Sequence, residues 1–296
     1  MFQDVCGFKD SFIQSIKSYF LANEFKEVQT PLILESPLPE PYINAIAVPE
    51  GGFFRTSPEL HLKILLSEGE EKIFEIGECR RADEKGRLHK ESFTMLEWYK
   101  SFATYKDLIP FTKNMLLQLA DELFSKTLIE YNGYDIELDN DWFIISVEEA
   151  FSRFGSMSLD SALHKKCYED EMSFYIEPSL PKDTPVVLYD YPMEFAALSK
   201  ISTVNSKFCE RWELYLGGVE IANTYSELTD LTEHKKRFDN FLNVRKNNNF
   251  DDYFVMDAFM KAIENGIPES AGCALGLDRL FMIFFNMKSI PAFDLT

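Results

Sequence analysis

The sequence predicts an α+β fold: one domain built on a mostly antiparallel sheet with flanking helices. Three observations predict it. Apolar residues recur at helical spacing near residues 8–22 and 105–128. Between and after them lie alternating β-prone runs joined by a charged loop (80–90) and by Gly217-Gly218. No repeat, low-complexity tract or Gly/Ser-rich linker divides the 296 residues, a length ample for one large core.

The elements follow in order. Phe8, Phe12, Ile13, Ile16, Tyr19 and Phe20 share one helical stripe, so 8–22 reads as an amphipathic helix. The run Val28 to Leu34 is β-prone, and Pro31 marks it as an edge or an end. Prolines make Ser36-Pro-Leu-Pro-Glu-Pro-Tyr a loop. Ile73 to Tyr99 reads as strand, charged loop, strand. Residues 105–128 form the clearest helix, with Leu108, Met115, Leu116, Leu119 and Leu123 on one side and Pro110 near the first turn, where proline is tolerated. The stretch 130–210 is mixed and reads as an accessory or connecting region. A hairpin spans Glu213 to Asp230, and a helix opens at Asp278.

Composition narrows the function. With 49 Asp+Glu against 30 Lys+Arg the formal charge is −19, which disfavours broad nucleic-acid binding without excluding a local basic patch. At 46% hydrophobic and 15% aromatic the chain is too apolar to be disordered. No apolar stretch reaches membrane-spanning length, and the start lacks the features of a signal peptide, so a cytoplasmic protein is expected. Five scattered cysteines without a Cys-x-x-Cys pair, and four histidines without zinc spacing, argue against a disulfide framework or zinc site.

Three segments carry chemistry. The loop Arg80 to Lys90 holds Arg80, Arg81, Lys85, Arg87 and Lys90 against Asp83 and Glu84, and reads either as an anion site or as a solvated hairpin tip. In the strand after it, alternation puts Phe93, Met95, Glu97 and Tyr99 on one face, a stripe of about 20 Å that mixes rings with a carboxylate and a phenol. That is long enough to lie beneath a nucleotide joined to an amino acid; the alternative is a half-buried strand with Glu97 reaching water. In the hairpin, Glu213 and Glu220 sit on opposite arms and would repel unless a cation such as Mg²⁺ joins them, or the hairpin is simply exposed and acidic. Asn223, Tyr225 and Glu227 share a parity that Glu220 lacks, so either a bulge intervenes or they serve different subsites. In Ala271 to Phe285, Arg279 is a cation at the start of an apolar helix, disfavoured by the dipole unless an anion or an aromatic plane receives it. Neither a P-loop nor a dinucleotide fingerprint is present.

Taken in order, Val28-Gln-Thr-Pro31, Thr56-Ser-Pro-Glu-Leu-His-Leu-Lys, Phe93-Thr-Met-Leu-Glu-Trp-Tyr, Gly218-Val-Glu-Ile-Ala-Asn with Glu227-Leu-Thr-Asp, and Ala274-Leu-Gly-Leu-Asp-Arg resemble the class II aminoacyl-tRNA synthetases. The likeness is to the lysine branch, and within it to freestanding paralogues that modify elongation factor P. It spans residues about 8–285.

The resemblance implies an antiparallel catalytic domain that binds ATP and Mg²⁺ and activates lysine or β-lysine as an adenylate. Arg81 and Arg279 would be the catalytic cations, Arg81 on the carboxylate and α-phosphate. Phe93 and Arg279 would sandwich the adenine, with Asp83, Lys90, Glu220, Ile221 and Gly276 completing the ATP site. Glu213 and Glu220 would bind Mg²⁺. Ser57 and Glu59 would meet the backbone-side amine, while Glu97, Tyr99 and Glu227 would receive the side-chain ammonium, with Asn223 and Ala274 lining the slot. Ala274 stands where lysyl-tRNA synthetases have Gly and the paralogues Ala, which points to β-lysine. The helix beginning near residue 8 leaves no room for an anticodon-binding domain, so residues 1–296 are expected as a single catalytic domain without tRNA as partner; the first helix and the Pro31 strand, the dimer interface in class II enzymes, imply a homodimer. Departures lie in Arg80-Arg81-Ala82-Asp83, where the family reads Phe-Arg-Asn-Glu, in Lys90-Glu91-Ser92, and at Thr224 in place of Gly. A silent regulatory paralogue and a tRNA-charging ligase are the other readings.

Overall fold

A computed structural model describes residues 2–291, with side chains from residue 7 onward. Helix α1 (Phe2–Ala22) begins nearer the N-terminus than the predicted 8–22. Phe12, Ile16 and Phe20 on its inner side lose all solvent contact. The β-prone run that follows is not one strand. It is split into β1 (Lys26–Glu27) and β2 (Ile33–Leu34), because Pro31 between them has no N–H for a ladder. Strand β3 (Phe53–Phe54) pairs with β2, and helix α2 (Glu59–Ser67) follows.

The charged loop joins β4 (Lys72–Arg80) to β5 (Ser92–Ser101), antiparallel and in register with Glu75 opposite Glu97 and Cys79 opposite Phe93. The long helix α3 (Leu108–Phe124) keeps Pro110 in its first turn. It starts and ends inside the predicted 105–128: residues Tyr105–Asp107 form a 3₁₀ turn, and Ser125 takes left-handed φ and stops the helix.

The stretch 130–210 is more than a connector. A small hairpin, β6 (Leu128–Tyr131) and β7 (Tyr134–Glu137), precedes β8 (Phe143–Ser146); the short helices α4 (Val147–Phe154), α5 (Leu159–Lys165), α6 (Tyr168–Glu171) and α7 (Glu177–Ser179) precede β9 (Val186–Pro192). Both β8 and β9 belong to the main sheet. The hairpin β10 (Phe208–Leu216) and β11 (Val219–Ser226) turns at Gly217-Gly218, both at positive φ. Helices α8 (Leu231–Asn247) and α9 (Asp257–Asn265), strand β12 (Ser270–Gly276) and helix α10 (Leu277–Phe284) complete the chain.

The eight-stranded sheet runs β1-β4-β5-β12-β11-β10-β9-β8. It is antiparallel in its centre, and only the edge pairs β1·β4 and β8·β9 are parallel. One face is sealed by α1, α3 and α10, where Leu96 and Trp98 meet Phe20, Leu116 and Phe281. The other face is covered only at its sides. Leu60, Leu62, Phe238 and Phe259 of α2, α8 and α9 pack over Ile73 and Tyr99, while α4 to α6 pack over Leu188 and Tyr215. Between these flanks the middle strands carry an open cleft. Among the described residues no helix is long and apolar enough to cross a membrane.

Candidate active site

The cleft floor is built from three neighbouring strands. Alternation in β5 sends Leu96 and Trp98 into the core and Phe93, Met95, Glu97 and Tyr99 into the cleft. In β12, Ala274 lies opposite Glu97 on one side and Asn223 on the other. The parity puzzle in β11 resolves as a bulge. Leu214 pairs with Ala222 and Tyr215 with Glu220, so Ile221 is the extra residue and Glu220 joins Asn223, Tyr225 and Glu227 on the cleft side.

One end of the cleft is acidic. Glu97 is almost fully buried, accepting from the Ser57 hydroxyl and, at 3.3 Å, from the Tyr99 phenol. Burial, with the charge of Glu59, pushes its carboxyl up to about 8. Glu227 is likewise raised to about 7, by burial against the pull of Lys63. Glu40, from the proline-rich loop, is raised to about 7 by burial and then by Glu59. Gly272 lies opposite Tyr99, and a Cβ there would collide with the Tyr99 ring and the Glu227 carboxylate. Glycine is thus needed to leave the slot open.

The other end is cationic. Arg81 bonds the Thr56 carbonyl at 3.2 Å, pairs with Glu84 at 3.6 Å, and lays its guanidinium 5.1 Å from the Phe93 ring centre. Arg279, at the start of α10, is received by an anion and by carbonyls: it bonds the Glu220 carbonyl at 2.8 Å and that residue's carboxylate at 3.4 Å, with the Leu88 carbonyl at 3.2 Å. His89 touches it at 2.7 Å. Asp278 accepts from the Thr94 amide at 2.6 Å, tying α10 to β5. Lys90 lines the cleft and reaches the Pro291 carbonyl.

Ser57, Glu59, Arg81, Lys90, Phe93, Glu97, Tyr99, Glu220, Ile221, Asn223, Glu227, Ala274, Gly276 and Arg279 therefore line one cleft. Two expected residues do not. Asp83 is exposed at a turn with φ 64°, a conformation Asp tolerates, and Glu84 faces the cleft in its place. Glu213 lies behind the lining: its carboxylate is held by the Tyr191 and Tyr215 hydroxyls at 2.6 and 2.9 Å and by Arg211 at 2.5 Å. Its charge still reaches Glu220, which burial and Glu213 together push up to about 7. The departures also find places. Arg80 stacks 4.1 Å over Phe54 and pairs with Glu78, and Thr224 is buried opposite Trp212 and Cys273, away from the lining.

Sequence reasoning missed Glu40, Glu84, Gly272 and Lys63. Lys63 was readable as a cation four residues after Glu59 on an otherwise apolar helix face. Glu40 carried no such signal, because its loop has no periodicity.

Comparison with known proteins agrees with this geometry. Relatives include the lysine–tRNA ligases of Bacillus thuringiensis (strain Al Hakam), 30% identical over 95% of this chain, and of Dechloromonas aromatica (strain RCB), 29% identical over 95%. The chain spans 61% of the length of each of those relatives. The family model for class II tRNA synthetases (D, K and N) matches residues 2–293. This chain therefore belongs to the class II tRNA synthetase family of the D, K and N group.

Proposed function

We propose that this chain is an ATP-dependent ligase that activates a diamino acid, (R)-β-lysine or lysine, and passes the acyl group to a lysine side chain of elongation factor P. One observation carries the reading: a single cleft orders carboxylates at one end (Glu97 and Glu227 buried, Glu59 partly so) and arginines at the other (Arg81, Arg279). An amino acid with two ammonium groups fits the first end and a triphosphate the second.

In the first step a carboxylate oxygen of the amino acid attacks the α-phosphorus of ATP, and pyrophosphate leaves. In the second an uncharged amine attacks the acyl carbon, AMP leaves, and the amine gives up a proton. Both steps need alignment and charge neutralisation more than a protein nucleophile. Arg81 lies between Phe93 and Thr56, where it would meet the carboxylate and α-phosphate together. Arg279, anchored by Glu220 and the Leu88 carbonyl, would hold the nucleotide. Among the described residues no three His, Cys, Asp or Glu side chains converge as a metal cage. The raised Glu220 beside the Glu213 charge suits a cation that also binds substrate phosphates. Glu220 would hold Mg²⁺, with Glu213 adding charge from behind, and the ion would supply neutralisation of phosphate charge.

The choice of β-lysine rests on Ala274. Its methyl stands between Glu97 and Asn223 on the slot floor, and a methyl there favours an amine displaced by one carbon. The names of the relatives suggest tRNA as the other acceptor. Incubating labelled β-lysine and ATP with elongation factor P and with bulk tRNA decides between them. The expected product is alkali-stable label on the protein, as an amide. Alkali-labile label on tRNA alone would overturn this acceptor.

A further inference from the structure

Lys63 is a charged side chain with no exposed surface, on the inner side of α2. Its ammonium lies 2.5 Å from Glu59 Oε1 and 2.5 Å from Glu227 Oε2. These two carboxylates come from different elements, one at the start of α2 and one just after β11, and both line the cleft. The chemistry proposed above leaves Lys63 without a part. A buried ammonium is costly to desolvate, and a hydrophobic side chain would fill α2 as well. Neighbouring positions Leu60, Leu62 and Leu66 do so.

The geometry points to Lys63 as the positioning residue of the amino-acid slot: an internal counter-cation that takes one oxygen of Glu59 and one of Glu227, fixing both carboxylates in place. This rests on the reading of the cleft as a diamino-acid site. Two carboxylates this close repel, and without a cation one of them takes a proton. A protonated Glu227 cannot receive an ammonium with full charge. The charged and titratable groups facing the pair are Glu40 from the proline-rich loop, Glu97 and Tyr99 from β5, Tyr225 from β11, and His234 from α8. His234 is fully buried and pushed down to about 4, by burial first and by Lys63 next, so it is neutral beside Lys63. Lys63 draws Glu227 down against burial and against Glu59. Removing it therefore raises the Glu227 carboxyl further, and amino-acid binding should then demand a higher pH.

The test is amino-acid-dependent ATP–pyrophosphate exchange from pH 6.5 to 8.5 on wild type, Lys63→Gln and Lys63→Arg, with folding checked by thermal melting. Lys63→Gln, one atom shorter, keeps a hydrogen-bond donor but removes the charge. It is expected to raise the amino-acid KM at least tenfold at pH 7, with the ATP KM and kcat within about twofold, and to recover at least threefold of that loss by pH 8.5. Lys63→Arg keeps the charge and should restore the wild-type pH profile. A Lys63→Gln enzyme with unchanged KM, or with a loss equal at every pH, would overturn the proposal. So would failure of both variants to fold, which would assign the side chain to stability. Wild type that exchanges with no amino acid would instead remove the reading of the cleft itself.

Discussion

Glu97 concentrates the physics of this cleft in one residue. Strand parity alone placed it with Phe93 and Tyr99 on a face too polar for a core, and the structure puts that face on the cleft. What parity did not contain is its environment: burial and Glu59 raise its carboxyl to about 8, so in the free protein it is mostly protonated at neutral pH. An arriving ammonium favours the ionised form and expels the proton. The sign follows: affinity for the amino acid rises as pH increases toward 8, because the free protein must otherwise give up a proton to bind. Calorimetry at pH 7 in buffers of different ionisation heat should show roughly one proton released per amino acid bound, and Glu97→Gln should abolish most of that release while weakening binding. Heats identical in every buffer would contradict it. Asp83 shows the opposite lesson. Alignment by motif assigned it to ATP, but a turn at φ 64° sends it to solvent and hands the cleft to Glu84. One residue of loop geometry decides such a placement, and composition does not encode it.

At the scale of elements, strands and helices with strong periodicity were legible, and those defined by long-range partners were not. The bulge at Ile221 was one of two options that parity left open, and only the register with β10 selects it. The run through Pro31 was divided by the absence of a ladder donor. The stretch 130–210 looked like a connector because its strands β8 and β9 are short or bounded by irregular helices, yet they extend the main sheet. The proline-rich loop was read correctly as a loop, but nothing in it announced the clip that holds it. Arg245 of α8, almost fully buried, donates to the carbonyls of Glu40 and Ile43 at 2.8 and 2.9 Å, to Asn44 Oδ1 at 3.0 Å and to the Asp251 carbonyl at 3.1 Å, and stacks 3.8 Å from the Tyr253 ring centre. Glu40 and Ile43 line the cleft. Replacing Arg245 by Met strands those acceptors and should cost about 2–4 kcal/mol in urea unfolding, with a raised amino-acid KM because the loop loses its seat. A loss below about 0.5 kcal/mol would place the loop's order elsewhere.

For the molecule as a whole, the sheet converts a strongly acidic chain into a sorted one. The net charge of −19 said little about a site. The sheet and the segments leaving it gather a few of those carboxylates at one end of a cleft and place Arg81, just after β4, and Arg279, just after β12, at the other. That separation was legible as motifs, because β5 and the start of α10 carry it locally. It was not legible as a distance, because β12 comes late in the chain and is threaded between β5 and β11. The central claim is that this cleft joins a diamino acid to the α-phosphate of ATP. ATP–pyrophosphate exchange measured with lysine, (R)-β-lysine and norleucine tests it most directly. Exchange is predicted with a diamino acid, greatest for β-lysine, and absent with norleucine, whose methyl cannot engage Glu97 or Glu227. Exchange with none of them, or equal exchange with norleucine, would contradict the account.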